Sequence, residues 1–135
     1  SLGANFPTRL MENLSRSSDP VPVVTDIAGN PTPTSVLSKA ILDAIVLDIG
    51  AGTYHVCCQG VASKYEWAVE IVKAFGIDVS RIVPTQSAAV SSVAKRPPYV
   101  DLDCGAFIEA TGQPMPEWRE AWTRTAQVAD YRSFL

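Results

Sequence analysis

The sequence predicts a small mixed α/β domain, and three observations carry that prediction. Apolar residues recur at helical spacing in four or five separate stretches, while β-favouring runs are few and short. Helix starts and stops are marked, most plainly by Ser63-Lys64-Tyr65-Glu66 before an apolar run and by Gly76 after it. The chain has 135 residues, 47% of them hydrophobic and 19% charged, which fits one domain with a modest core.

Phe6, Leu10 and Leu14 fall every fourth position and predict a helix from about Asn5 to Arg16. Ser17-Ser18-Asp19-Pro20 is a turn signal. Val21 to Asp26 reads as a strand, and Pro22 places it at an edge or a strand start. Gly29-Asn30-Pro31-Thr32-Pro33-Thr34 is a rigid loop. Thr34 is the expected N-cap of the next helix, with Leu37, Ala40, Ile41, Ala44 and Ile45 on one buried face.

Gly50 and Gly52 bracket a turn. A strand is expected after it, with Tyr54, Val56 and Cys58 on one side and Thr53, His55 and Cys57 on the other. The helix opened by Ser63 presents Ala68, Ile71, Val72 and Phe75 on one face. Ile82 to Pro84 predicts another short strand, and Gln86 to Val93 a loop. Lys95-Arg96-Pro97-Pro98-Tyr99 is held extended by its prolines. A short helix is expected over Gly105 to Thr111. A last one spans Pro116 to Ala129, with Pro in its first turn and Trp118, Ala121 and Trp122 together. Two or three short strands make an incomplete set for a sheet-based enzyme.

Composition narrows the function. A net charge of −3 and a pI of about 5.0 argue against nucleic-acid or anionic-membrane binding, though a local basic spot can still hold a phosphate. The longest apolar run, Ala44 to Ile49, falls far short of the ~20 residues of a membrane span. The opening residues have no signal-peptide pattern, and Ser1-Leu2 are compatible with a remnant of cloning. Three cysteines do not make a disulfide framework, so the expected compartment is a reducing cytoplasm.

Several chemistries find no support. His55 is the lone histidine, and Cys57 and Cys58 are adjacent, so a strand would point them apart; packing is the favoured reading over a metal or nucleophile site. Gly50-Ala51-Gly52 fails as a dinucleotide fingerprint, because His55 stands at the third glycine and the glycines precede the expected strand. No P-loop occurs, and no tyrosine is followed four residues later by lysine. What remains is anion chemistry. Arg96, beside Lys95 on the proline-stiffened loop, has the planar fork that suits phosphate. Asn5 could place an amide beside a helix N-terminus. A solvated basic turn and an ordinary cap are the plain alternatives.

Asn5-Phe6 with Met11, Asp26 with Gly29-Asn30-Pro31-Thr32, Gly52-Thr53-Tyr54-His55, Gly60 with Ser63-Lys64-Tyr65-Glu66-Trp67-Ala68, Lys95-Arg96-Pro97 and Leu102-Asp103 fall in a familiar order. From Asn5 to Trp122 the chain resembles the C-terminal, substrate-binding part of the dTDP-4-dehydrorhamnose reductases, within the extended short-chain dehydrogenase/reductase superfamily. The resemblance implies a parent protein whose Rossmann half binds NADPH or NADH, carries a Tyr-x-x-x-Lys pair and reduces the 4-keto group of a nucleotide-linked deoxysugar. This chain would lack that half, bind no cofactor, have no catalytic residue of its own, and act over residues 1–135 as a single substrate-binding domain. The resemblance places Arg96 near the nucleotide diphosphate, Asn5 at the cleft edge, and Gly29, Pro31 and Thr32 along the cleft or its approach. It makes the strand and helix around His55 a structural unit.

Two positions depart from the family pattern. Ile27 stands where glutamine is frequent, and Val100 where serine is frequent. Both remove polar groups. They keep open a non-catalytic binding protein of the same fold, like the regulatory subunit of methionine adenosyltransferase, beside the enzyme reading and that of a plain soluble domain. Whether the parent turns over a substrate is left open at this point. The expected partners are a dTDP-linked sugar, the Rossmann half and, on any bared surface, a second copy of the chain.

Overall fold

The computed structural model describes residues 5–90 and 96–128. Among them are five α-helices and four short strands, the mixed α/β class that the sequence predicts.

Helix α1 (Phe6–Arg16) begins where expected. The Asn5 side chain accepts a hydrogen bond from the Thr8 amide at 3.0 Å, and the Thr8 hydroxyl accepts one from the Asn5 amide at 3.1 Å. These bonds satisfy donors that a helix start otherwise leaves orphaned. At the other end Arg81 Nη2 donates to the carbonyls of Leu14 and Ser17 at 2.8 and 2.6 Å, closing the last turn from a distant part of the chain.

Strand β1 (Val21–Val24) pairs in parallel with β4 (Ile82–Thr85), in the register Val21↔Ile82 to Val24↔Thr85. In a ribbon of two, each strand is an edge, which accommodates Pro22 and Pro84. A parallel pair needs a crossover. Here the crossover includes α3 (Lys64–Ala74), which lies on the ribbon and buries Ala68, Ile71 and Val72 completely. Leu10, Met11, Leu14, Val23, Ile82 and Trp122 complete this main core. Each such aliphatic side chain contributes roughly 1.5–3 kcal/mol on full burial.

Strand β2 (Ala28–Gly29) is antiparallel to β3 (Ala62–Ser63), directly before α3. On its other edge Ala28 bridges Tyr99: its amide donates to Pro98 O at 2.9 Å, and its carbonyl accepts from the Val100 amide at 3.1 Å. Ser63 caps α3 with Glu66 as predicted. Ser63 Oγ accepts from the Glu66 amide, and Glu66 Oε2 accepts from the Ser63 amide.

Several expectations are corrected. Helix α2 (Thr34–Val46) has Pro33, not Thr34, at its N-cap, with no side-chain capping bond. Its expected apolar face is not buried. Only Ala40 is, while Ile41 and Ile45 are 61% and 69% exposed, because none of the described elements covers that side. Residues 52–58 form no strand, since the segment has no ladder partner until Gln59 bridges Glu117. Cys57 and Cys58 nevertheless face apart as alternation demands. Cys57 packs with Ala40, Cys104, Phe107 and Met115, and Cys58 with Ala62, Trp118 and Ala121.

Helix α4 (Gly105–Thr111) matches its predicted span, and α5 (Trp118–Val128) buries Trp118, Ala121 and Trp122. Pro116 lies before that helix, because the Gln59–Glu117 bridge keeps residues 116–117 extended. Gly60 makes the bend at this junction, at φ +83° with Trp118 Cδ1 only 3.1 Å from where a Cβ would stand. Lys95 and Ala129 lie outside the described residues.

Candidate functional site

A cleft of about 520 Å³ opens between the start of α1, strand β1 and the start of α3. Its wall is apolar along Phe6, Leu10, Val21 to Val24, Ile27 and Val90. Its polar groups are Asn5, Asn13, Ser87 and three cations, Arg9, Lys64 and Arg96. Among the described residues no aspartate or glutamate lines it, although the chain carries a net charge of −3.

Lys64 is the first residue of α3. Its backbone is fixed by the capping box around it and by its own amide, which donates to Ile27 O at 3.0 Å. The side chain is half-buried, with Nζ 4.9 Å from the ring centroids of both Phe6 and Trp67. Among the described residues no carboxylate pairs with it. Burial, and secondarily the positive charge of Arg96, hold its pKa below the usual lysine value. Arg9 and Arg96 are exposed and likewise have no acidic partner among the described residues.

The floor beside Val90 is fastened by Asp26. Its carboxylate accepts from the Ser87 hydroxyl at 2.7 Å and the Ser87 amide at 2.8 Å, and these bonds, the hydroxyl first, hold its pKa below the ordinary value. Asp26 is thereby already engaged.

Two of the five residues proposed from sequence, Asn5 and Arg96, meet in this cleft. Asn5 Oδ1 is used in the cap of α1, while no hydrogen bond among the described residues engages its Nδ2 amide. Gly29, Pro31 and Thr32 do not line the cleft. Gly29 lies in β2, Pro31 is buried, and the Thr32 hydroxyl donates to Asn30 O and accepts from the Cys58 amide. Their turn is tied to the segment after Arg96 through Asn30. Its Nδ2 donates to Gly60 O and Asp101 Oδ1, and its Oδ1 accepts from the Leu102 amide. With the Ala28–Tyr99 bridge, these bonds fix the segment that follows Arg96.

Sequence reasoning missed Lys64, naming it only within the capping box and the motif that carries the resemblance, with no role of its own. The available signal was its spacing, three residues before Trp67 on one helix, which is the geometry of a cation over a ring.

His55 is exposed and lies outside the cleft lining. The cysteines are buried. Cys57 Sγ lies 3.4 Å from Cys104 Sγ, and burial first, then the bond with Cys104, pushes its pKa to about 12. Burial likewise raises Cys58 to about 11. Such thiols hold little thiolate at neutral pH. Among the described residues no group of three or more His, Cys, Asp or Glu side chains converges as metal ligands would, and no helix is long and apolar enough to cross a membrane.

A family model described as the RmlD substrate binding domain matches residues 1–131. The chain belongs to that family. Among curated proteins, this RmlD substrate binding domain is 35% identical over 127 residues to a dTDP-4-dehydrorhamnose reductase of Streptomyces griseus, covering 91% of the chain and 41% of the relative. It is 32% identical over 119 residues to that of Mycolicibacterium smegmatis, covering 88% and 36%. Among solved structures, a dTDP-4-dehydrorhamnose reductase of Clostridium acetobutylicum superposes with a TM-score of 0.81 at 34% identity, over 95% of this chain and 45% of that one. The Bacillus anthracis reductase, solved in complex with NADP, gives 0.78 at 27% identity, over 92% and 42%. The chain thus spans roughly two-fifths of the relatives it matches.

Proposed function

We propose that this domain is the substrate-holding part of an NAD(P)H-dependent reductase acting on a dTDP-linked 4-keto sugar, and that its cleft grips the nucleotide diphosphate. The observation that supports this best is the charge of the cleft: among the described residues three cations and no carboxylate line it, in an acidic chain. Cations without acidic partners in a concave site are matched by an anion. The Arg96 guanidinium offers a planar pair of donors to phosphate oxygens. The Asn5 amide stands at the start of α1, where the helix dipole favours negative charge. Phe6, Leu10 and Ile27 supply apolar wall for the base or the deoxysugar. Gly29, Pro31 and Thr32 serve the site at one remove, by positioning the segment after Arg96.

In this reading the chain turns nothing over alone. Tyr-x-x-x-Lys is missing from it, and the cofactor is held by other parts of the parent protein. The exposed aliphatic residues of α2 make self-association part of the proposal, which light scattering showing a strict monomer would remove.

The test is an NMR titration of the chain with dTDP. Binding should be weak, with shifts concentrated at Asn5, Lys64, Ser87 and Arg96, and Arg96→Ala should lower affinity about tenfold, the worth of a charge-assisted hydrogen bond. Shifts scattered away from the cleft, or an Arg96→Ala variant that binds like the parent, would overturn the reading.

A further inference from the structure

We infer that Lys64 is a specificity-determining residue that makes the cleft prefer a diphosphate over a monophosphate. This rests on the phosphate reading of the cleft.

Three observations lead to it. Of the three cations that line the cleft among the described residues, Lys64 is the one that is not exposed, so its charge is screened least by water. Its ammonium is confined rather than free, seated at 4.9 Å over two different rings and carried by a backbone position that the capping box fixes. It also shares the cleft with Arg96, a like charge from a separate segment, and neither has a carboxylate partner among the described residues. Two cations held near each other without an anion repel. The lowered pKa of Lys64 agrees with that geometry. A ligand that brings one phosphate group relieves one of them. A ligand with two linked phosphate groups can meet both, one on the Arg96 fork and one on the Lys64 ammonium. Arg9, exposed on α1, adds a weaker and more screened attraction.

The experiment titrates the chain with dTDP and with dTMP, following amide shifts in the parent and in Lys64→Met and Lys64→Arg. Methionine keeps an unbranched stem over the rings without the charge. The parent should bind dTDP about tenfold tighter than dTMP, as one further charge-assisted contact implies. Lys64→Met should bring the two affinities within about twofold by weakening dTDP alone, and Lys64→Arg should keep most of the preference. An unchanged dTDP-to-dTMP ratio in Lys64→Met, or equal weakening of both ligands, overturns the role of Lys64 while leaving the phosphate cleft standing. A folded parent that binds neither ligand overturns both. Should Lys64→Met fail to fold, the Lys64 side-chain resonances of the parent decide: they should move with dTDP far more than with dTMP, and an equal response to the two refutes the assignment.

Discussion

Asp26 binds Ser87 twice, through its hydroxyl at 2.7 Å and its amide at 2.8 Å, and thereby joins the end of β1 to the turn that follows β4. The two residues are separated by 61 positions in sequence, so the pair closes one wall of the cleft. The bonds favour the carboxylate and hold the Asp26 pKa below 3.8. Glu66 and Asp78 are lowered in the same direction, by the amides of Ser63 and Ser80.

These shifts fix the sign of the acid response. A depressed folded-state pKa adds stability that is complete above the unfolded value and is lost as pH falls through the folded one. The chain should therefore hold a flat urea midpoint above about pH 5 and lose stability progressively below about 4.5. Ser87→Ala should shrink the acid-sensitive part, read as the difference between urea midpoints at pH 7 and pH 3. A midpoint that rises on acidification would contradict the assignment.

The alkaline side carries the opposite sign. Cys57 and Cys58 are raised, so their contribution is complete below about 9, the unfolded value, and is lost as pH climbs towards about 12 and 11. In the native chain the thiols should react with a disulfide reagent at pH 8 much more slowly than in urea. Fast native modification of Cys57 would show that it is neither buried nor protonated.

Removing the cap of α3 should be felt in both stability and binding. Ser63→Ala loses the bond to the Glu66 amide and should cost about 1 kcal/mol in urea unfolding. Because Lys64 follows directly, dTDP affinity should fall as well. A variant that loses stability but binds unchanged would separate the cap from the site.

Gly60→Ala should be among the costlier small changes. A φ of +83° is strained for alanine, and the new Cβ would meet Trp118 Cδ1 at 3.1 Å, against a side chain only 1% exposed that cannot easily move. The expected loss is about 1–3 kcal/mol by thermal or urea unfolding. By contrast, Ile41→Ser should cost under about 0.5 kcal/mol, because its side chain is already largely in water.

That contrast shows where the sequence could be read and where it could not. Local signals survive intact: the Ser63–Glu66 box, the stop at Gly76 and the span of α4 depend on neighbours within one turn. Burial is a tertiary property. Leu37, Ile41 and Ile45 recur at helical spacing, as do Ala68, Ile71 and Val72, yet only the second set meets a ribbon and two helices. Residues 52–58 have strand-like composition and no strand beside them. At the site, Arg96 was legible as an arginine on a proline-stiffened loop. Lys64 was legible only in its spacing to Trp67, because its other neighbours, Phe6 and Arg96, lie far from it in the chain.

The hub at Asn30 bears on how the domain opens. Its bonds to Gly60, Asp101 and Leu102 join positions 30, 71 and 72 residues apart, and the segment they secure exposes Tyr99, Val100 and Leu102. Held by polar links with few apolar contacts, residues 96–102 can detach while the core under α3 stays folded. Their amides should exchange with deuterium well ahead of those of Ile71 and Val72. Arg96 would then move with this segment on a hinge of low local stability, at no cost to the main packing of the domain.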